Sequence, residues 1–247
     1  MYVIGDIGNT DVKICVYSKQ KKVIKKIILK SYLINDKYLK KNLSFLLSKK
    51  IIIKKIIFSS VVPHIYKLIK LYFLKNLKVK CFEIKQLNIS NLIKILVNRK
   101  QIGSDRLCNA IAVNDNKNNY IVVDFGTATT FDVIIKNKYL GGIIAPGVSL
   151  SLNTLISKAS LIPSLKLKKI ESILGKNTIS AVRSGFYWGY IGLVQNIIDK
   201  ISKQTKKKYK VILTGGYSHL FIKSIKYKAY IDKDITIKGL LKITKLI

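Results

Sequence analysis

The chain has 247 residues, and its 46 lysine and arginine residues against 12 aspartate and glutamate residues give a formal net charge of +34. The length suits one large domain or two small ones, while lysines interrupt every apolar run before the roughly 18 residues that a membrane-spanning helix requires. The charge favours a nucleic-acid or membrane-surface binder, but the lysines are spread along the whole chain and few residues are arginine, so we expect no specific nucleic-acid site and no membrane contact.

The first half of the chain predicts a small sheet followed by alternating helices and strands. Residues 2–9 and 11–18 alternate as strands do on either side of a turn, and "VIKKIILKS" supplies a third strand of an antiparallel meander. The next segments predict a helix, a strand, a helix and a short strand, in the order "YLKKNLSFLLSKK" from Tyr38, "IIIKKIIFSSVV", "HIYKLIKLYFLKNL" and "VKCFEI". A further helix begins near Ser104 and continues through "RLCNAIAV".

The second half repeats this order of elements. "YIVVDFG" and "TTFDVIIK" predict a strand pair, "YLGGIIAPG" a third short strand, and the residues from about Thr178 to Ser202 a long helix. "KVILTGGYS" predicts a late strand that ends in a glycine turn, and "IKGLLKITKL" predicts a closing amphipathic helix. The polar stretch "NDNKNN" at 114–119 separates the two halves, so we predict an N-terminal domain over 1–117 and a C-terminal domain over 118–247.

Two similar turns, one in each half, carry an acid where a strand would otherwise be apolar. "VIGDIGNTDVKICVY" and "IVVDFGTATTFDVII" both run from an apolar strand into Asp-x-Gly, so that Asp6 matches Asp124 and Gly8 matches Gly126. Aspartate is depleted from strands, and these two acids therefore need a reason. A glycine turn with exposed N–H groups, hydroxyls and an acid that holds a hydrated cation is suited to phosphate. Either turn taken alone is also typical of an ordinary hairpin, but the pair predicts two related α/β domains facing one another across a cleft.

The cysteines and histidines indicate neither disulfides nor a metal centre. Cys15, Cys81 and Cys108 are odd in number and widely spaced, so we expect buried free thiols. His64 and His219 have no acidic or cysteine neighbour at ligand spacing, which argues against a histidine metal site. The beginning of the chain lacks the pattern of a secretory signal, so we expect a cytoplasmic protein.

Six segments in chain order resemble the motifs of type III pantothenate kinase, within the actin, Hsp70 and sugar kinase superfamily. The segments are "DIGNTDVK" (6–13), "GSDR" (103–106), "DFGTATTFD" (124–132), "GGIIAPG" (141–147), "KNTISAVRSGFYWG" (176–189) and "LTGG" (213–216). The resemblance implies two ribonuclease H-like, actin-like ATPase domains with a central interdomain cleft. It also implies ATP-dependent phosphorylation of pantothenate to 4'-phosphopantothenate, the first step of coenzyme A biosynthesis, by a homodimer that uses Mg²⁺ and K⁺ or NH₄⁺.

The resemblance also implies roles for individual residues. Asp105 is the expected general base, Asp124 the expected ligand of the monovalent cation, and Asp6 an expected Mg²⁺ ligand through water. The expected ATP contacts are Asp6, Ile7, Gly8, Asn9, Thr10, Asp11, Val12, Lys13, Thr127, Gly215 and Gly216. The expected pantothenate contacts are Gly103, Ser104, Asp105, Arg106 and Thr178. Arg106 suits the carboxylate of pantothenate because guanidinium offers a fork of donors.

Other interpretations of the same residues stay open. "SDR" is also typical of a helix start, Lys13 of a solvated strand lysine, and "GG" of a plain turn. The chain has Leu96 and Arg99 at the approximate places where the family carries an aromatic residue and Asn-Pro, so the aromatic substrate contact is missing. A catalytically silent nucleotide-binding regulatory protein of the same family, and a lysine-driven nucleic-acid binder, are the alternative functions.

Overall fold

In this computed structural model, residues 1–48 and 51–246 are described, and they pack as two units. Unit 1 contains Met1–Asn114 together with Asp234–Ile247, and unit 2 contains Asp115–Lys233. The first change of unit falls at the start of the polar stretch at 114–119, close to the boundary that the sequence predicts. The last segment differs, because the sequence analysis placed it with the C-terminal domain and the structure packs it with unit 1.

In the described residues of unit 1 there are six strands, four α-helices and short 3-10 turns. Its strands are β1 (Tyr2–Ile7), β2 (Asp11–Tyr17), β3 (Val23–Lys30), β4 (Lys55–Ser60), β5 (Cys81–Glu83) and the two-residue β6 (Lys94–Ile95). Its α-helices are α1 (Asp36–Leu43), α2 (Pro63–Leu77), α3 (Ser104–Val113) and α7 (Ile235–Ile243). The 3-10 turns are Ser31–Leu33, Ser44–Leu47, Ile84–Gln86 and Arg99–Gln101. Lys49 and Lys50, at the end of the helix predicted from Tyr38, lie outside the described residues.

The first sheet has the strand order β3-β2-β1-β4-β5. The first three strands form the predicted antiparallel meander, and β4 and β5 continue in parallel beyond β1. Apolar side chains on the strands pack against α1 and α2, with Ile7, Ile56 and Phe58 fully buried. Parallel strands point their carboxyl ends to the same edge of a sheet, so the ends of β1, β4 and β5 meet there.

Unit 2 contains five strands and three α-helices. The strands are β7 (Asn119–Phe125), β8 (Ala128–Ile135), β9 (Lys138–Pro146), β10 (Lys210–Gly215) and β11 (Ala229–Ile231). The helices are α4 (Val148–Lys158), α5 (Thr178–Thr205) and α6 (Ser218–Phe221).

These five strands lie in the order β9-β8-β7-β10-β11. The pair β7 and β8 is antiparallel, as are β8 and β9, while β10 is parallel to β7 and β11 to β10. The order and direction of these five strands therefore match those of the five strands of the first sheet. The predicted repeat of strand, turn and strand is confirmed, and both sheets are mixed.

The closing helix α7 belongs to unit 1 because it completes that unit's core beside α3. Ile235, Leu240 and Ile243 are buried on one face of α7. The ammonium of Lys242 donates to the carbonyl oxygens of Ile111 (3.1 Å), Ala112 (2.7 Å) and Asn114 (3.0 Å), where α3 ends. These carbonyls have no partner inside their own helix, so one lysine satisfies the end of α3 from the far end of the chain.

Three elements of unit 2 were missed by the sequence analysis: α4, α6 and β11. Serine, threonine and asparagine make up much of α4, "VSLSLNTLISK", and these residues are weak helix formers. Val148 and Leu152 are buried on its inner face, so packing forms this helix against its local preference. The elements α6 and β11 have four and three residues, too few for any periodicity to be read.

Candidate active site

The first predicted phosphate loop is the turn between β1 and β2. The N–H of Gly8 donates to the carbonyl of Asp11 (3.0 Å), and the hydroxyl of Ser31 donates to the carbonyl of Gly8 (2.7 Å). Asn9 and Thr10 are exposed at the tip. The turn is therefore held by its own backbone and by Ser31, and its tip is left available to a ligand.

The other predicted residues of this loop lie on the two strands. Asp6 is half-buried and sits opposite Lys13 in the strand register, which is a favourable pairing of opposite charges on neighbouring strands. Asp11 accepts a hydrogen bond of 2.7 Å from the ammonium of Lys30. Ile7 and Val12 are fully buried in the core, so only their backbone atoms can face a nucleotide.

The predicted base lies in the first turn of α3. Asp105 is half-buried, and its Oδ1 atom accepts a hydrogen bond of 2.8 Å from the N–H of Arg106. Burial raises the pKa of Asp105 above its usual value, although the N–H of Arg106 and the guanidinium of Arg106 act in the opposite direction. A carboxylate whose proton affinity is raised in this way suits a general base.

Ser104, a predicted pantothenate contact, lies in the same first turn of α3. It is buried, and its hydroxyl donates to the Oε1 atom of Glu83 at 2.5 Å. A serine hydroxyl has a single proton to donate, so that proton is committed to Glu83. Only the backbone of Ser104 can therefore donate to a substrate.

Three carboxylates of unit 1 surround the start of α3. Cys108 is fully buried one turn into α3; burial raises the pKa of its thiol, and the charges of Asp6, Asp105 and Glu83 raise it further. The three acids therefore share one neighbourhood at the carboxyl ends of β1 and β5. The sequence analysis missed Glu83, although an acid in the apolar run "VKCFEI" is the same signal that singled out Asp124.

The second predicted phosphate loop is the turn between β7 and β8 in unit 2. The N–H of Gly126 donates to the carbonyl of Ala128 (3.1 Å), and Thr127 is exposed at the tip. A Cβ atom on Gly147 would lie 2.0 Å from the carbonyl oxygen of Thr127. Glycine at position 147 thus lets the chain entering α4 pass directly against this loop.

The predicted adenosine motif lies beside that loop in the same unit. Thr214 and Gly215 pair with Asp124 and Phe125 in the parallel register, and the N–H of Gly216 donates to the carbonyl of Phe125 (3.1 Å). Gly215 has a φ of +83°, and a Cβ atom there would lie 2.6 Å from the Oδ1 atom of Asp124. Unit 2 thus brings Asp124, Thr127, Gly215 and Gly216 together.

Thr178 is the remaining predicted contact, and it occupies the first position of α5. Asn177 caps this helix by accepting a hydrogen bond from the N–H of Ser180 (2.9 Å). Thr178 is exposed, so its hydroxyl is available to a ligand. The three cysteines are buried and free, as predicted.

The donor set determines which cations the chain can bind. Within residues 1–48 and 51–246, no group of three or more histidine, cysteine, aspartate or glutamate side chains is arranged to hold a metal ion. Mg²⁺ needs no such cage, because it keeps several waters and binds through one or two carboxylates and the phosphates of a substrate. Asp6, half-buried beside a turn suited to phosphate, fits that mode of binding. No helix in this described part of the chain has the length and apolar content to cross a membrane.

Comparison with known proteins identifies the family. A model described as type III pantothenate kinase matches residues 2–200. The type III pantothenate kinase of Pelagibacter ubique (strain HTCC1062) is 56% identical over 247 residues, covering 100% of both chains. The chain belongs to the type III pantothenate kinase family.

Solved structures agree with the fold expected of this pantothenate kinase family. A protein described as a 2-dehydro-3-deoxygalactonokinase from Sinorhizobium meliloti superposes with a TM-score of 0.66 at 12% identity, covering 100% of this chain and 97% of that chain. A protein described as a Baf family transcriptional activator from Campylobacter jejuni gives a TM-score of 0.62 at 20% identity, with 98% and 97% covered. At such identities the likeness concerns the fold alone, and the predicted actin-like and sugar kinase α/β fold is confirmed.

Proposed function

We propose that the chain transfers the γ-phosphoryl group of ATP to the primary hydroxyl of pantothenate, giving 4'-phosphopantothenate, the first step of coenzyme A biosynthesis. The observation that carries the proposal is the full-length identity of 56% to a type III pantothenate kinase. The half-buried Asp105, at the start of α3 and with a raised pKa, supplies a base of the kind that this reaction needs. The enzyme is a phosphotransferase with an alcohol group as acceptor, and it works with a divalent metal ion.

The chain's own residues act mainly by positioning and charge, as phosphoryl transfer requires. In the first loop, the exposed tip and Lys13 bind phosphate oxygens, and Asp6 holds Mg²⁺ through water. In the second loop, Thr127 donates to phosphate and Asp124 holds K⁺ or NH₄⁺. Gly215 and Gly216 let the backbone approach the adenosine. When bound, Mg²⁺ neutralises charge on the phosphates.

The acceptor is held near the start of α3. Arg106 binds the carboxylate of pantothenate, and the further proposed contacts are Gly103, the backbone of Ser104 and the exposed hydroxyl of Thr178. Asp105 orients the primary hydroxyl and accepts its proton as the bond to phosphorus forms. These residue roles follow the family resemblance and are compatible with the exposure of each group.

A single set of assays tests this function. ADP release is measured with ATP and Mg²⁺, with and without pantothenate, and in K⁺, NH₄⁺ or Na⁺ buffers, and the product is weighed by mass spectrometry. Asp105→Asn should lower kcat by about 10²- to 10⁴-fold, the usual contribution of a general base, while nucleotide binding persists. Asp36→Asn, an exposed aspartate in α1, is the matched control. Nucleotide binding without turnover in the wild-type chain would favour the silent regulatory alternative instead.

We also propose a homodimer that is built on α5, and a cytoplasmic location. Gly185, Gly189 and Gly192 lie exposed on one side of α5, and a Cβ atom on any of them would meet no described atom within 4 Å. A groove beside this stripe is lined mostly by apolar side chains, among them Leu155, Phe186 and Leu193. Small residues let a second backbone approach closely, so a second copy of this chain fits here.

The high charge carries no further function in this proposal. Specific nucleic-acid binding is not expected, because the lysines are spread along the whole chain and are not clustered in one segment. Any contact with polyanions should be electrostatic and should weaken steeply as salt rises. Filter binding of DNA across a salt series tests this, and tight binding that persists near physiological salt would contradict it.

A further inference from the structure

A buried hydrogen bond joins the end of β5 to the start of α3. The hydroxyl of Ser104 donates to Oε1 of Glu83 at 2.5 Å, and the two residues are 1% and 8% exposed. The next residue after Ser104 is Asp105, the proposed base. The direction of the first turn of α3 is therefore linked to a carboxylate on the neighbouring sheet.

Glu83 is itself held in one orientation. Its Oε2 atom accepts a hydrogen bond of 2.7 Å from the N–H of Lys85, and its own N–H donates to the side-chain oxygen of Gln86 at 3.3 Å. Together these bonds cap the 3-10 turn Ile84–Gln86. Both carboxylate oxygens have a partner, so Glu83 presents a fixed acceptor to Ser104.

A second set of contacts ties the same two segments together. The guanidinium of Arg99 donates to the carbonyls of Ile84 (3.3 Å), Lys85 (3.4 Å) and Leu87 (2.5 Å). The ammonium of Lys85 in turn donates to the carbonyl of Lys100 (3.4 Å). The chain leading into α3 thus lies against the turn after β5, held by the bonds of Arg99, Lys85 and Glu83.

The two acceptor oxygens of Glu83 are both used, and burying them has a cost. Taking a carboxylate out of water costs free energy that its hydrogen bonds only partly offset. A glutamine could not accept both hydrogen bonds, because it has one acceptor oxygen and its amide nitrogen would face either Ser104 or the N–H of Lys85. A charged acceptor binds a hydroxyl more tightly than a neutral one, which favours precise orientation over stability.

We propose that Glu83 is a positioning residue of the kinase: through Ser104 it fixes the first turn of α3 and so the direction in which Asp105 meets the acceptor hydroxyl. The inference rests on the proposed function, because Asp105 is the base only if the chain is a kinase. Displacement of a reacting group by about 1 Å can cost about 100-fold in rate, so a single anchor one residue away has a measurable effect.

Four variants test the inference: Glu83→Ala, Ser104→Ala, the double variant and Glu83→Gln. Each single alanine variant should lower kcat by about 10- to 100-fold and leave the KM for ATP within about twofold, since the ATP loops are untouched. The double variant should lose no more than the larger single loss, because both changes break the same bond. Glu83→Gln should lose less rate than Glu83→Ala, because its amide oxygen can still accept from Ser104 although its amide nitrogen then faces the N–H of Lys85.

The pH dependence of kcat/KM shows whether the bond between Glu83 and Ser104 positions Asp105 or only stabilises the fold. A loosened first turn admits water to Asp105 and removes part of the burial that raises its pKa, so the acid limb of kcat/KM should move to lower pH in Ser104→Ala. An unmoved limb and an unchanged kcat, with only a lower melting temperature, would overturn the inference. Losses that multiply in the double variant would overturn it as well.

The assays separate a failure of the proposed kinase function from a failure of the proposed role of Glu83. A wild-type chain that does not phosphorylate pantothenate defeats the proposed function; an active wild type whose variants are unaffected defeats the inference alone. If Glu83→Ala does not fold, Ser104→Ala, which removes one hydroxyl and adds no bulk, decides the question by its kcat and its acid limb.

Discussion

The Oδ1 atom of Asp105 accepts a 2.8 Å hydrogen bond from the N–H of Arg106 within the first turn of α3. That bond and the nearby guanidinium stabilise the ionised carboxylate, yet burial outweighs them and the pKa is raised. Asp105 thus accepts a hydrogen bond as a carboxylate, and its pKa is nevertheless higher than that of an exposed aspartate. Two consequences of this balance can be measured, one in the rate and one in stability.

The rate of pantothenate phosphorylation should fall on the acid side at a pH above the ordinary aspartate pKa of about 4. The reason is that protonated Asp105 cannot accept the proton of the acceptor hydroxyl. The measurement is kcat/KM for pantothenate at saturating ATP between about pH 4 and pH 9, with circular dichroism to verify folding at each point. A rate that stays level down to about pH 4 would contradict the raised pKa.

Asp105→Asn should increase the free energy of unfolding at neutral pH. A pKa raised in the folded state means that folding favours the protonated carboxyl, so ionisation begins to cost stability as the pH rises above the ordinary value of 3.8 and costs it fully above the folded pKa. The gain from asparagine should therefore shrink as the pH falls toward the ordinary value of 3.8. Urea unfolding at several pH values measures it.

The matched control for that measurement is Asp36→Asn. Asp36 is exposed in the first turn of α1, where an acid interacts favourably with the helix dipole. Its replacement should leave stability unchanged or lower it slightly. An Asp105→Asn variant that is less stable than wild type near neutral pH would contradict the prediction.

Gly215→Ala should destabilise unit 2, whereas Gly216→Ala should not. Gly215 has a φ of +83°, and a Cβ atom there would lie 2.5 Å from the carbonyl of Phe125. The backbone conformation alone costs about 1–2 kcal/mol for a residue with a side chain, and the contact adds to that. At Gly216 a Cβ atom would meet no described atom within 4 Å. Thermal unfolding compares the two variants, and equal melting temperatures would contradict the expectation that only position 215 requires glycine.

Lys242→Met should lower the free energy of unfolding by about 1–3 kcal/mol, because the carbonyls of Ile111, Ala112 and Asn114 lose their donor. Methionine keeps an unbranched apolar chain as far as Cε and removes the ammonium. Lys245→Met, at an exposed position after α7, is the control and should change stability by less than about 0.5 kcal/mol. Chemical denaturation measures both, and similar small effects would show that the three bonds contribute little.

Gly189→Glu should convert the proposed dimer into monomers. A charged side chain on the stripe would enter the space reserved for the second copy, and its burial without a partner is costly. Sedimentation velocity measures the mass, with Gln20→Glu, which adds the same charge to an exposed turn of unit 1, as the control. A wild-type chain that is already monomeric, or a variant that stays dimeric, would place the interface elsewhere or exclude it.

The recurrent elements of the fold were predictable because each has a local cause. Long apolar periods specify α2 and α5, and alternating runs that flank Asp-x-Gly specify β1 with β2 and β7 with β8. The repeated aspartate, Asp6 and Asp124, can be recognised in the same segments of sequence. A carboxylate in an apolar strand is unusual, because its burial is unfavourable, and it therefore draws attention as a candidate functional group. The Gly-Ser-Asp-Arg segment added a candidate base to two turns that by themselves indicate only a phosphate site.

The sequence alone therefore determined the family, the paired turns and the candidate base, because each of these features lies within a short continuous segment of the chain. Only the tertiary structure decided what depends on contacts between distant segments. It placed α7 in unit 1, since Lys242 satisfies the end of α3 across more than a hundred residues. It also turned Ser104 inward to Glu83, a bond between residues 21 positions apart that neither motif contains.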